Sequence, residues 1–99
     1  MAILLNNYAR EIGKRGGREW YEWKVFAEAD DTTLDQIESI TYILHSTFPN
    51  PVRTVKDSRT KFALQTVGWG SFTILAQIQY KDGRREELKY FVDLHKGWP

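Results

Sequence analysis

The residues of this chain best suited to chemistry are aromatic rings held in turns. The 99-residue sequence contains four Trp, five Tyr and five Phe. Phe48 precedes Pro49, whose ring fixes φ, and Trp69 lies between Gly68 and Gly70. Rings held this way can stand clear of a core, and a planar, uncharged group such as an amide fits between two of them. The alternative to a binding role is that each ring packs in the core or stabilises its turn.

The polar residues favour binding over catalysis. The chain has no cysteine, no Gly-x-Ser-x-Gly motif and no carboxylate pair marked by its spacing, so we do not expect an enzyme. His45 and His95 are the only histidines and lie on separate segments, which argues against a zinc site. Asp30, Asp31 and Asp35 lack the EF-hand spacing and its glycine, and they predict an acidic turn. We therefore expect neither a metal nor a cofactor.

The overall charge gives no case for nucleic acid or an anionic membrane as a partner. Fourteen basic and 13 acidic residues leave a formal charge of +1. Five basic residues could form a patch: Lys14, Arg15, Arg18, Arg84 and Arg85. Because the total charge is nearly balanced, we expect them to be ordinary solvated surface residues. The length and 41% hydrophobic content suit one domain over residues 1–99. Without a secretory or membrane-spanning pattern, the default expectation is a cytoplasmic location.

A β-hairpin is predicted in the C-terminal half. Five apolar residues alternate with mainly polar ones over Phe72 to Tyr80, which is typical of a half-buried strand. Asp82 and Gly83 then predict a two-residue type I′ turn, because that turn needs positive φ at both positions. The return strand is expected over Glu87 to Leu94.

The remaining segments complete an all-β prediction. Trp20 to Ala29 indicates a strand whose Trp23, Val25 and Ala27 share one face. Shorter strands are expected at Phe62 to Leu64 and, as a first edge, at Ala2 to Leu5. Gly13 to Arg18 is typical of a mobile, solvated loop. These spacings predict a β-sandwich of about seven or eight strands with no long helix.

Leu34 to Leu44 fits two patterns. Its apolar residues recur at helical spacing, and Thr33 with Gln36 would make a capping box. The same residues also alternate, and several are β-branched, which favours a strand. Because strands surround this segment, we predict a strand here.

Three segments together resemble the YEATS family. Leu44 to Arg53 resembles its motif of Leu-His, a hydroxyl residue, an aromatic residue, a proline and then Arg. Gly68 to Phe72 is similar to its Gly-aromatic-small-x-Phe loop, and Glu22 to Phe26 to its Asp/Glu-Trp-x-Val-Phe strand. The segments occur in the family order and span roughly Trp20 to Leu94. The compact form looks most like the prokaryotic branch, and it lacks the extra C-terminal segment expected in nuclear members.

The resemblance implies an immunoglobulin-like β-sandwich with a binding site in the loops at one end. Eukaryotic members read acylated lysine by slotting a flat acyl-amide between two aromatic rings, which correspond here to Phe48 and Trp69. Thr47 falls where the family usually has a serine whose hydroxyl bonds the amide, and the Trp69 backbone N–H would donate to the acyl carbonyl. The implied site residues are His45, Thr47, Phe48, Gly68, Trp69, Gly70 and Phe72.

The implied function is a non-enzymatic module that binds acetyl- or crotonyl-type lysine on a protein partner. A ring nearer the N-terminus, Trp20 or Tyr21, could close the far end of the slot. The alternative is a scaffold of the same fold whose loops dock a partner without reading acyl-lysine.

Overall fold

The computed structural model describes residues 3–98 and is an all-β sandwich of two antiparallel sheets, which confirms the predicted fold class. The elements are β1 (Leu4–Arg15), β2 (Arg18–Glu28), α1 (Asp31–Asp35), β3 (Ile37–Ile43), β4 (Val52–Val55), a 3-10 turn (Ser58–Thr60), β5 (Leu64–Gly68), β6 (Thr73–Tyr80) and β7 (Arg85–Phe91). One sheet has the strand order β1-β2-β5 and the other β4-β3-β6-β7. Within the described residues, no helix is long and apolar enough to cross a bilayer.

The core lies between the facing sheets, where the alternating pattern placed it. Trp23, Val25 and Ala27 of β2 are all fully buried, as their spacing predicted. Tyr42 of β3 is also fully buried, and its hydroxyl donates to the carbonyl of Phe62 at 2.8 Å. Burial raises the pKa of the Tyr42 phenol, because the ionised form would lose its hydration.

The C-terminal hairpin is confirmed, but the predicted two-residue type I′ turn is wrong. Gly83 has a φ of 95°, whereas Asp82 is not among the residues with positive φ. Gly83 N–H donates to the Tyr80 carbonyl at 3.1 Å, and Tyr80 N–H donates to the Arg84 carbonyl at 2.9 Å. These bonds enclose three loop residues, with a tight turn followed by a glycine of positive φ. The same Asp-Gly pair therefore serves a loop that is one residue longer than predicted.

The N-terminal segment contains the largest departure from the predictions. Gly13 to Arg18 is not a mobile loop: β1 continues to Arg15, and β2 begins at Arg18. Gly16 and Gly17, with φ of 60° and 78°, form the two-residue turn between them. The short edge strand predicted at Ala2 to Leu5 is thus the start of a 12-residue strand, while Ala2 itself lies outside the described residues.

The β1–β2 hairpin extends past the rest of its sheet. Strand β5 pairs with β2 only from Tyr21 to Val25, so residues 12–20 form a two-stranded ribbon, called here the hairpin arm. A shift in the β1–β2 register between Glu11 and Gly13 marks its base. Ribbons of two strands are marginal by themselves, so contacts with neighbouring loops matter for the position of the arm.

The ambiguous segment contains both kinds of structure. The strand prediction is confirmed for Ile37–Ile43, but one helical turn, α1, precedes it. Asp30, and not Thr33, caps this turn, because the Asp30 side chain accepts from the Thr33 N–H at 2.8 Å. The strand predicted from Phe62 begins only at Leu64, since Phe62 has a left-handed φ of 57° and turns its buried ring into the core.

The C-terminal segment closes the free edge of β1. Strand β7 ends at Phe91, short of the predicted Leu94. The chain then runs beside β1, where Ala9 N–H donates to the Lys96 carbonyl at 2.8 Å. Asn7 is fully buried and exchanges two side-chain hydrogen bonds with the backbone of Asp93, at 2.9 and 3.0 Å.

Candidate functional site

A cleft of about 190 Å³ opens at one end of the sandwich and brings together every residue of the predicted site. It lies where the β3–β4 and β5–β6 loops meet the base of the hairpin arm. The lining residues are Trp20, His45, Thr47, Phe48, Pro49, Val67, Gly68, Trp69, Gly70, Ser71 and Phe72. Of the two rings predicted to close the far end, Trp20 lines the cleft, whereas Tyr21 does not, and its hydroxyl donates to the Glu19 carboxylate.

Aromatic rings form the floor of the cleft. Phe48 and Phe72 are half-buried, with ring centroids 5.1 Å apart. Both meet the buried indole of Trp23 edge-on, at 6.2 and 5.7 Å. Such tilted contacts suit the ring quadrupoles and stabilise the cluster beyond simple area burial. Phe48 and Phe72 thus belong to the edge of the core and to the cleft at the same time.

Gly68 allows the floor to pack closely. A Cβ at this position would lie 3.0 Å from Phe48 Cζ and 3.3 Å from Trp23 Nε1, which is tighter than ordinary van der Waals contact. A Cβ at Gly70 would meet nothing within 4 Å. The steric need for glycine therefore falls on Gly68 and not on Gly70.

His45 and Thr47 form a linked polar edge. Thr47 N–H donates to His45 Nδ1 at 3.2 Å, and Thr47 Oγ1 lies 2.9 Å from the same nitrogen. A ring nitrogen that accepts an N–H carries no proton, so the neutral imidazole has its proton on Nε2 and the threonine hydroxyl donates to Nδ1. The lone pairs of Thr47 Oγ1 are then the acceptors that this hydroxyl offers to a bound group.

Arg53 braces the turn that carries Phe48. Its guanidinium donates to the carbonyls of Pro49 and Asn50 at 2.8 and 3.1 Å, and to Thr66 Oγ1 at 3.2 Å. Asn50 has a left-handed φ of 48°, a conformation that asparagine tolerates better than most residues. The Arg at the end of the first motif is thus a support for the loop and does not line the cleft.

Trp69 forms an exposed wall of the cleft. Its side chain is 43% exposed, and the guanidinium of Arg18 lies over its ring, 3.9 Å from the centroid. The backbone N–H of Trp69 has no hydrogen-bond acceptor within residues 3–98. Sequence reasoning missed the role of Arg18, because the loop predicted at Gly13 to Arg18 gave no reason to place it beside Trp69. Recognising Gly16-Gly17 as a hairpin turn would have been the available signal.

Comparison with known proteins places this arrangement in a family. The sequence model of the prokaryotic YEATS domain matches residues 21–93, which include all three predicted motifs. The chain belongs to the YEATS domain family. Assignment to the prokaryotic branch stays a prediction, because the curated relatives described next are fungal.

Curated relatives and solved structures agree with the family. The Protein AF-9 homologs of Candida glabrata and Eremothecium gossypii are 30% and 36% identical to this YEATS domain, over 91% and 90% of its length. The chain spans less than half of these relatives, 43% and 45%. The Yaf9 YEATS domain recognizing an H3K122suc peptide matches with a TM-score of 0.76 at 24% identity, covering 94% of this chain and 72% of the matched chain. The Yaf9 YEATS domain bound to H3K27ac matches with a TM-score of 0.70 at 22% identity, covering 96% of this chain and 78% of the matched chain.

Proposed function

We propose that this YEATS domain is a non-enzymatic module that binds acetyl- or crotonyl-type lysine of a protein partner in the cleft. The carrying observation is the meeting of Phe48, Trp69, Thr47 and His45 around one small opening. At about 190 Å³ the cleft is smaller than the sites of about 300–1,000 Å³ that take drug-sized ligands. A modified side-chain tip suits that size better than a whole cofactor does.

The proposed recognition uses the two faces and the two edges of the acyl-amide. The rings of Phe48 and Trp69 contact the two faces of the amide plane. Thr47 Oγ1, already donating to His45, accepts from the amide N–H, and the backbone N–H of Trp69 donates to the acyl carbonyl. Because these partners are held by the fold before binding, little ordering is needed when the ligand enters.

The same cleft disfavours unmodified lysine. Acylation removes the charge of the side chain and leaves a planar amide. Among residues 3–98, none that lines the cleft is an aspartate or a glutamate. An ammonium group would therefore lose hydration without gaining a carboxylate partner, which is costly in a partly apolar site.

Two structural neighbours support the proposal. The Yaf9 YEATS domains with the same fold were solved with H3K122suc and H3K27ac peptides, so the architecture is compatible with acylated-lysine peptides. Membership of the YEATS family also supports a binding module over an enzyme.

The test is an NMR titration of labelled protein with acetyl-lysine, crotonyl-lysine and unmodified lysine peptides of the same sequence. We expect only the acylated peptides to shift the resonances of the cleft. Trp69→Ala should keep the fold, since the ring is exposed, and should weaken binding at least tenfold, because truncating a central binding aromatic often costs about 2 kcal/mol or more.

The matched control is Trp98→Ala. Trp98 also carries an arginine over its ring, Arg10 at 5.0 Å, but it does not line the cleft. We expect this variant to bind like the unaltered domain. A Trp69→Ala protein that folds and binds normally would exclude the cleft. If no acylated peptide binds, a scaffold that docks a partner without reading acyl-lysine becomes the better description.

A further inference from the structure

The tip of the hairpin arm presents two arginines directly opposite each other. Arg15 of β1 pairs with Arg18 of β2, so both side chains project from the same face of the ribbon. Both residues are exposed. Like charges in directly opposite positions destabilise an antiparallel pair, so this arrangement works against the stability of a marginal ribbon.

No carboxylate of the described chain relieves this repulsion. Neither arginine takes part in any ion pair within residues 3–98. Glu19, the acidic residue between Arg18 and Trp20, lies on the other face of the arm opposite Lys14. On the arginine face the next acidic side chain along β2 is Glu22, which already accepts from Arg10 and Gln65.

The arginine pair borders the cleft. Arg18 lies on the ring of Trp69, 3.9 Å from its centroid, and Trp20, two residues further along the same face of β2, lines the cleft. The Trp20 indole N–H also donates to the Arg15 carbonyl at 3.3 Å. Residues that flank a modified lysine held in the cleft would therefore be within reach of the two arginines.

We propose that Arg15 and Arg18 form a second subsite, which binds an acidic residue flanking the acyl-lysine of the partner. This inference rests on the proposed function and specifies the partner as an acylated segment with aspartate or glutamate nearby. An extended peptide advances about 3.3 Å per residue, and an arginine side chain reaches over several ångströms. The acidic residue therefore lies within about three positions of the acyl-lysine.

The experiment compares acyl-lysine peptides that differ only in their flanks. One carries aspartates within three positions of the acetyl-lysine, one carries asparagines and one carries lysines. We expect the acidic peptide to bind about three- to tenfold more tightly than the neutral one at low ionic strength, and the basic peptide to bind more weakly. Raising the salt concentration should reduce both differences.

Arg15→Glu tests the subsite without altering the cleft, because Arg15 does not line it. The variant places a carboxylate opposite Arg18, so the preference for acidic flanks should disappear while binding of the neutral peptide is kept. Lys81→Glu is the control: it makes the same change of charge in the exposed loop after β6, at the opposite end of that strand from the cleft. It should keep the preference.

The other outcomes distinguish failure of the subsite from failure of the proposed function. Equal affinities for the acidic and neutral acyl-lysine peptides would refute the subsite and leave the proposed function standing. Equal loss of preference in Arg15→Glu and Lys81→Glu would attribute it to net charge and not to the arm. Tighter binding of a short single-stranded oligonucleotide than of the acidic peptide, lost in Arg15→Glu, would assign the pair to phosphate. If acidic peptides bind at the arm with or without acylation, the subsite stands and the proposed function fails.

Discussion

Gly68→Ala is the substitution that most directly tests how the floor of the cleft is built. The new Cβ would lie 3.0 Å from Phe48 Cζ and 3.3 Å from Trp23 Nε1. Trp23 is fully buried and cannot retreat, whereas Phe48 is half-buried and borders open space. We therefore expect the Phe48 ring to move towards the cleft, so that the substitution lowers both stability and binding.

Two opposing terms set the size of the stability change. Overpacking a well-packed region costs about 1–3 kcal/mol. Gly68 lies in β5 without positive φ, so alanine suits its backbone and recovers about 0.5–1 kcal/mol of conformational entropy. The midpoints of these two ranges leave a net loss of about 1 kcal/mol. For a domain of this size that corresponds to a fall in Tm of roughly 4–8 °C.

Gly70→Ala is the matched control. Its Cβ would meet nothing within 4 Å, and its φ is not positive. Thermal unfolding followed by circular dichroism should show a Tm equal to or slightly above that of the unaltered domain. Titration with acetyl-lysine peptide then tests whether the added methyl group obstructs the cleft itself.

A double-mutant cycle identifies the neighbour responsible. Phe48→Leu should recover part of the stability lost in Gly68→Ala, because the shorter side chain removes the closest contact. A Gly68→Ala domain that melts at the original temperature and binds acetyl-lysine peptide as before would refute the steric role of Gly68. Additive effects of Gly68→Ala and Phe48→Leu would exclude Phe48 as the neighbour responsible.

Three further substitutions test the fold that carries the site. Gly83→Val forces a β-branched residue to a φ of 95° and should cost about 1 kcal/mol or more, measured by urea unfolding; an unchanged midpoint would contradict the observed turn. Asn7→Ala removes both hydrogen bonds to the backbone of Asp93 and should lower the free energy of unfolding by about 2–4 kcal/mol. Hydrogen exchange should show faster exchange of the backbone amides after β7. Tyr42 has a raised pKa, so its contribution to stability is complete below pH 10 and is lost as the pH rises above that value. Tyr42→Phe should be less stable at neutral pH, because the Phe62 carbonyl loses its donor. The variant should also lose less stability than the unaltered domain as the pH rises above 10. An identical dependence of unfolding free energy on pH in the two proteins would refute this.

Local patterns in the sequence account for the strands with one buried face. The alternation in β2 and β6 predicted which residues face the core, because successive side chains of a strand point to opposite faces. Gly83 marked the C-terminal turn for a similar reason, since positive φ favours glycine. The length of that loop was not determined locally, because Asp82-Gly83 can close a loop of two residues or of three.

The motifs predicted the members of the cleft but not how they contact one another. Phe48, Trp69 and Thr47 could be named because their order along the chain resembles the YEATS pattern. Their common location requires the β3–β4 loop of one sheet and the β5–β6 loop that joins the two sheets to reach the same end of the sandwich, which spacing alone does not encode. Their binding role stays a prediction until a ligand is tested.

The sequence by itself determined the period-two burial of the strands, the glycine of the last turn and the residues of the candidate site. The hairpin arm was recognised only in the structure, because its exposed polar residues carry no periodic signal, although Gly16 and Gly17 reverse the chain locally. The tertiary structure alone placed Arg18 on Trp69, a contact between residues 51 positions apart along the chain. It also decided that Gly68 is the sterically required glycine, since that requirement comes from Phe48 and Trp23 on other strands and loops. Local periodicity predicts which face of a strand is buried. Contacts between residues far apart along the chain form only when the two sheets pack together.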